Sequence, residues 1–467
     1  MNYGFETRCI HGNGTDEKTH SYGSVAVPIY QAATFAHPGI GQSTGYDYTR
    51  ESNPTRTELE HTMSALEGAV DTVACANGMA AVGLCLELFD RGDHILCTDD
   101  LYGGSVRMFE SVGGKRGLEF SYVDTADADL VEAGIRENTK ALYIETPSNP
   151  TMRVTDLRKM KEIADKHDLK IIVDNTFLSP LFQRPIELGA DLVIQSFHKT
   201  LPAMTQTAVL HNCSERVDSR LIRRFMGIYQ SSSPSYILMA SIDACMDKMV
   251  TDGKEMFREF TKILEKARRR LSECKYIRLV SPEIGSAGVF DYDRSKLIFS
   301  TRYTSMTGTE LAQLLLEKYH IQVEMQTEHY VLALAAVGDS EEGFERLCRA
   351  IEEIDQEESQ KKRKTEGQIA ERVAYTSMNQ LMSVTEAMEA ESEVCRLEES
   401  VGRISAEFGY LYPPGIPLIV PGEQITGQFI RNMRIYMEEG LYLQGLEDYT
   451  NDTIRVISQN ITKEQLG

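Results

Sequence analysis

The chain has 467 residues, 42% of them hydrophobic and 25% charged, which is enough for a large core and two or three domains. Its formal net charge of −21 would repel nucleic acid and anionic lipid, so neither is expected as a partner. No apolar run reaches the ~20 residues of a membrane span, no leader-like start is seen, and nine cysteines without Cys-x-x-Cys spacing point to a reducing, cytoplasmic setting.

Residues 1–60, rich in Gly, Thr, Ser and Tyr, read as an irregular N-terminal arm. Within it Tyr48 and Arg50 offer a hydroxyl and a guanidinium on one side of an extended segment. Such a pair suits a phosphate, although a solvated loop would carry the same residues. Leu59, Met63 and Leu66 predict a helix over 56–67. A short strand at Val73–Cys75 then passes through Asn77 and Gly78 into a helix over 81–88, whose first backbone N–H groups, approached over Gly78, form an anion site.

His94–Cys97 reads as a strand leading to Tyr102-Gly103-Gly104, where Tyr102 either lies flat on an aromatic ring or fills the core. Ala141–Ile144 is a strand leading to Glu145-Thr146-Pro147-Ser148-Asn149-Pro150, a loop whose prolines aim Asn149. An amphipathic helix over 156–167 precedes a strand ending at Asp174, and Leu192-Val193-Ile194 runs out into Ser196, His198 and Lys199. This alternation predicts an α/β fold with a mostly parallel sheet, and it puts Asn77, Tyr102, Asn149, Asp174 and Lys199 on one edge. Alone, Lys199 would pass for a surface lysine. Five suitable groups on one edge point instead to pyridoxal phosphate. The Lys199 amine, desolvated and uncharged near neutral pH, would hold the aldehyde as a Schiff base. Asp174 would pair with the pyridine nitrogen and keep the ring an electron sink.

Thr205 and Thr207 are further candidate phosphate donors, from the facing subunit of a dimer. Residues 217–271 read as helix-rich, with Tyr229–Tyr236 either capping an apolar helix or forming a substrate loop. The expected organisation is an arm at 1–60, a cofactor-binding domain at 61–270 and a small α+β domain at 271–354, with strands near 297–300 and 331–337. A charged linker at 355–372 and a separate module at 373–467 complete it. The last module should carry a helix over 378–391 and a proline-rich extended segment over 411–423.

Two family resemblances follow from these motifs. Tyr48-Thr49-Arg50-Glu51-Ser52-Asn53-Pro54-Thr55, Ala76-Asn77-Gly78-Met79-Ala80-Ala81, Asp100-Leu101-Tyr102-Gly103-Gly104, Glu145–Pro150 and Val173-Asp174-Asn175-Thr176-Phe177 resemble the Cys/Met-metabolism family of pyridoxal phosphate enzymes, over residues 1 to about 190. The resemblance implies the aspartate-aminotransferase-like fold type I. It also implies that Tyr48 and Arg50 serve a neighbour's cofactor phosphate, hence a homodimer or homotetramer. Gly78 and Met79 would give that phosphate backbone N–H groups, and Tyr102 would stack on the ring and move protons. Asn149 would contact cofactor or substrate carboxylate, and Asp174 would meet the pyridinium.

From about residue 190, Ser196-Phe197-His198-Lys199-Thr200-Leu201-Pro202-Ala203-Met204-Thr205-Gln206, Ser233-Pro234-Ser235-Tyr236 and the stretch Tyr412–Glu423 resemble the ornithine/lysine/arginine decarboxylases. That match implies Lys199 as the Schiff-base lysine, with Ser196 and His198 under the phosphate. The seam falls at Glu187–Asp191. Neither half is complete: the first lacks an Arg-Leu-Ser-like carboxylate clamp and a Ser-x-Thr-Lys attachment. The second lacks a Pro-Gly-His-Lys segment and has Tyr102 where a histidine would stack.

The expected activity is therefore that of a pyridoxal-phosphate-dependent lyase on a small-molecule amino-acid substrate, with no metal. Decarboxylation of a basic amino acid comes first, with Glu324 and Glu328 meeting the cationic side chain. The alternative is C–S cleavage or γ-replacement on a cystathionine- or methionine-like substrate. A cofactor-binding protein with little turnover is the third possibility.

Overall fold

The computed structural model describes residue 8 and residues 27–148, 152–178, 182–285, 289–361, 379–411, 416–438 and 443–458. At its centre is a seven-stranded sheet in the order β1-β7-β6-β5-β4-β2-β3. The strands are β1 (Asp71–Cys75), β2 (His94–Thr98), β3 (Glu119–Val123), β4 (Thr139–Glu145), β5 (Lys170–Asp174), β6 (Leu192–Ser196) and β7 (Ala208–Asn212). β3, β2, β4, β5 and β6 run parallel, and β7 lies antiparallel to both β6 and β1. The C-terminal ends of β1, β2, β4, β5 and β6 therefore share one edge, as the alternating pattern predicts.

Continuous apolar strands arise because both faces are covered. On β4, Ala141 and Tyr143 join the core cluster beneath the helices Gly78–Leu86 and Ser219–Tyr229, whereas Leu142 and Ile144 join the cluster beneath the helix Leu157–His167. The pattern leaves β3 and β7 unannounced. In β7, His211 and Asn212 break the apolar run, yet both are buried, with His211 Nδ1 2.8 Å from Thr72 Oγ1 on the neighbouring β1.

Helix starts follow the capping residues. Asn53 caps Pro54–Glu67, Asp156 caps Leu157–His167, and Asn77 caps the helix that was expected over 81–88 and in fact runs Gly78–Leu86. Ser235 accepts from Leu238 N at 3.3 Å, so the Tyr229–Tyr236 stretch serves as the cap of the helix Tyr236–Lys248.

A second, antiparallel sheet is formed by β8 (Arg278–Val280), β9 (Lys296–Ser300), β10 (Met325–Gln326) and β11 (Tyr330–Leu334). It shares a core with the helices Lys254–Leu271, Gly308–Tyr319 and Glu341–Glu358.

Beyond residue 379 come a two-stranded sheet, β12 (Ser392–Arg396) with β16 (Thr453–Ile457), and a three-stranded one. The latter contains β13 (Gly409–Leu411), β14 (Ile416–Ile419) and β15 (Leu443–Gln444), and their own core includes Ile419, Phe429, Met433 and Val456. Pro417 sits on β14, an edge strand, where a missing N–H does least harm. The helix expected over 378–391 is shorter, Val384–Glu389, and Met378 lies outside the described residues, as do Tyr412–Gly415. Among the described residues no helix is long and apolar enough to cross a membrane, and the eight cysteines are free.

Candidate active site

Five strands deliver the site. β1 leads to Asn77, whose Oδ1 accepts from Ala80 N at 2.9 Å and starts the helix Gly78–Leu86. The Gly78 and Met79 N–H groups that open this turn have no partner within the helix. A Cβ placed on Gly78 would lie 2.7 Å from Ser196 Oγ, so only glycine leaves the space between helix start and Ser196 open. Ser196 ends β6, and its hydroxyl is not used to cap the following turn Phe197–Thr200. The helix N-terminus and this hydroxyl present polar groups of the kind that meet an anion.

His198 and Lys199 stand on the turn after β6. Partial burial, and then the Lys199 charge, push the His198 pKa below its usual value, which keeps the imidazole neutral at pH 7. The Lys199 side chain is exposed, with Nζ 5.9 Å from the centroid of the Phe177 ring. This corrects the expectation of a desolvated amine. A turn just past a strand end lifts the side chain out of the sheet's cover.

Asp174 closes β5 at 9% exposure, and its Oδ1 accepts from Thr176 N at 3.0 Å. Burial raises its pKa, against the opposing effects of Thr176, Tyr143 and Lys199. Tyr102 precedes the helix Gly103–Met108 and is 40% exposed. Its ring lies over Gly104, where a Cβ would collide with it, and its backbone N donates to Glu145 Oε2 at 2.7 Å.

The other expected residues are placed less centrally. Arg50 Cζ lies 5.2 Å from the Tyr48 ring centroid. Thr205 is exposed, whereas Thr207 Oγ1 donates to Met204 O at 2.7 Å and so closes its own turn. Met79 is half-buried behind Gly78, and Asn149 lies outside the described residues. Glu324 is exposed, while its neighbour Met325 packs with Phe177. The Glu328 side chain is 8% exposed beside His329, at 3.6 Å.

Three residues went unread in the sequence: Glu145, Tyr143 and Ser105. Glu145 closes β4 as Asp174 closes β5, and the strand pairing sets the two level.

A glycine-framed cradle, a buried acid and a lysine at adjacent strand ends, and a half-exposed tyrosine together fit pyridoxal phosphate. The comparisons agree. The family described as Cys/Met metabolism PLP-dependent enzyme matches residues 6–250. A cystathionine beta-lyase of Lactococcus lactis subsp. cremoris is 35% identical over 282 residues, 60% of this chain and 73% of that protein. The chain belongs to this family.

A cystathionine gamma-lyase of Bacillus subtilis (strain 168) is 49% identical over 197 residues, 42% of this chain and 51% of its own length. The chain thus spans about half the length of several of the curated relatives it matches. A crystal structure of cystathionine gamma-lyase from Lactobacillus plantarum complexed with L-serine superposes with a TM-score of 0.60 at 26% identity, covering 75% of this chain and 100% of that one. A second family, described as Orn/Lys/Arg decarboxylase, C-terminal domain, matches residues 363–452. The Cys/Met match therefore runs past the expected seam at Glu187–Asp191 and through Lys199, and the decarboxylase match is confined to the C-terminal part.

Proposed function

We propose that this protein is a carbon–sulfur lyase acting on a cystathionine-like amino acid, which reverses the order of the two leading readings drawn from the sequence. The observation that carries it is Tyr102. Its ring lies over Gly104 on the sheet edge that also carries Lys199, and the residue is 40% exposed, where a decarboxylase of the second family would place a histidine.

Pyridoxal phosphate, when bound, supplies an electron sink for the bonds at the substrate α-carbon. The chain's own groups do the rest. Ser196 Oγ, the Gly78 and Met79 N–H groups and the neutral His198 receive the phosphate. Asp174 faces the ring nitrogen. Lys199 Nζ would hold the cofactor through its aldehyde carbon and would be the base for the substrate α-proton. The Tyr102 hydroxyl delivers a proton to the departing sulfur. Tyr48 and Arg50 serve the site of a neighbouring subunit, which makes the working unit a homodimer or homotetramer. The family resemblance assigns Asn149 to the cofactor or the substrate carboxylate. We take the seven-stranded sheet and its helices as the cofactor-binding domain, the four-stranded sheet as the small domain, and residues 373–467 as a further module.

A second reading, decarboxylation of lysine, ornithine or arginine, is favoured by the match of residues 363–452 to a decarboxylase C-terminal domain. The bond that breaks is the one held perpendicular to the ring, so whichever group fixes the substrate carboxylate chooses between the two reactions.

The test is an absorbance scan with pyridoxal phosphate, followed by product assay on cystathionine, methionine, lysine, ornithine and arginine. A visible band lost in Lys199→Ala, with ammonia and a keto acid formed from cystathionine, is the expected result. Carbon dioxide with a diamine or agmatine would move the assignment to decarboxylation. Absence of any Lys199-dependent band would overturn both readings.

A further inference from the structure

Two enclosed hydroxyls lie on the path from Tyr102 toward Asp174 without a well-formed hydrogen bond. Tyr143 is 1% exposed and Ser105 0%, and among the described residues neither Tyr143 Oη nor Ser105 Oγ closes a hydrogen bond of ordinary geometry. Unpaired buried hydroxyls are costly, and a fold that keeps two together needs a polar reason for them.

The strand register locates that reason. On the parallel pair β4–β5, Tyr143 is level with Ile172 and Glu145 with Asp174. Tyr143, Glu145, Ile172 and Asp174 consequently share one face, with Tyr143 one pleat deeper than the Asp174 carboxylate. Phe109 packs edge-on against the Tyr143 ring, with centroids 4.8 Å apart at 82°, and limits where the phenol can point. Ser105 lies in the same helix that Tyr102 opens, and its N–H donates to Tyr102 O at 2.8 Å. Asp174 and Ser105 are the polar side chains that act on the phenol, together with Glu145 and the Cys85 thiol. Asp174 itself is met by Thr176, Tyr143 and Lys199.

We propose that Tyr143 is a positioning residue for Asp174: its phenol, backed by Ser105, donates to the carboxylate that faces the cofactor ring nitrogen and holds it in place. The line Tyr102–Ser105–Tyr143–Asp174 then joins the residue over the ring to the residue at its nitrogen. This rests on the proposed cofactor site but not on which bond the enzyme breaks. Without the phenol, Asp174 would hold the ring nitrogen's proton less firmly. The ring would carry less positive charge, and the nitrogen that links Lys199 to the cofactor would become more basic.

The test uses the cofactor-loaded full chain and Tyr143→Phe, which removes one oxygen and keeps the ring against Phe109. The pH midpoint of the Lys199-linked visible band should rise by about one pH unit, and cofactor affinity should fall several-fold. Ser105→Ala should shift the midpoint the same way by less. Thermal unfolding of the cofactor-free forms should change little, because without cofactor the phenol closes no hydrogen bond of ordinary geometry. A wild-type midpoint in Tyr143→Phe, with or without lost stability, overturns the inference while leaving the proposed function standing. Absence of a Lys199-dependent band in the wild type overturns both.

Discussion

Two buried acids of the central sheet region, Glu60 and Asp174, have different partners and are arranged to opposite ends. Glu60, 1% exposed, accepts from Ala74 N and from Arg223 Nη1, both at 2.9 Å, with Arg56 Nε at 3.6 Å; Arg223 goes on to Asp71. Its oxygens are taken up by the fold. Asp174 accepts the Thr176 N–H and is met by the Tyr143 phenol, which closes no hydrogen bond of ordinary geometry, and by the charge of the exposed Lys199. A buried charge with its partners in place ties helix to sheet. A buried charge with places left over is prepared for a ligand.

Several experiments would break or sharpen this contrast. The largest effect is expected for Lys199→Ala, which should abolish the visible cofactor band and all turnover in the scan described above, with the unfolding curve of the cofactor-free protein unmoved. On the other side of the contrast, Glu60→Ala leaves Arg56 and part of Arg223 without their acid and should cost roughly 3 kcal/mol in denaturant unfolding. A loss below about 1 kcal/mol would mean the cluster is no tie.

The paired region also has a pH signature. Burial, and then the Arg184 charge, lower the His211 pKa from 6.5 to about 4. The unfolded chain protonates there first, so the contribution is complete above pH 6.5. It fades as pH falls toward 4, by on the order of 3 kcal/mol. Unfolding at pH 7 and pH 5 should show the decline, and His211→Gln should flatten it.

A smaller effect is expected for Gly78→Ala, whose Cβ would meet Ser196 Oγ at 2.7 Å. Cofactor affinity should weaken about tenfold, ~1.4 kcal/mol, with little change in the stability of the cofactor-free protein. Equal losses in both would turn the cradle into packing. Least of all, Arg107→Ala removes the guanidinium 4.9 Å from the Tyr410 ring, between the helix Gly103–Met108 and β13. About 0.5 kcal/mol of stability should go, with the cofactor band unchanged.

The sequence by itself determined the parallel sheet, the edge on which the chemistry gathers, and the cofactor. Each rests on local signals: apolar runs at strand length, caps such as Asn53 and Asp156, and motifs around Gly78, Asp174 and Lys199 that need only neighbours in the chain. Tyr102 was legible as a candidate but not as a choice between stacking and core, because that depends on Gly104 and Glu145, the latter brought in from β4. The antiparallel β7, the exposure of Lys199 and the self-contained bond of Thr207 were decided by tertiary structure. So were the unbonded hydroxyls of Tyr143 and Ser105. Whether a polar group is satisfied depends on which strands lie side by side and in what register, and that pairing joins residues far apart in the chain.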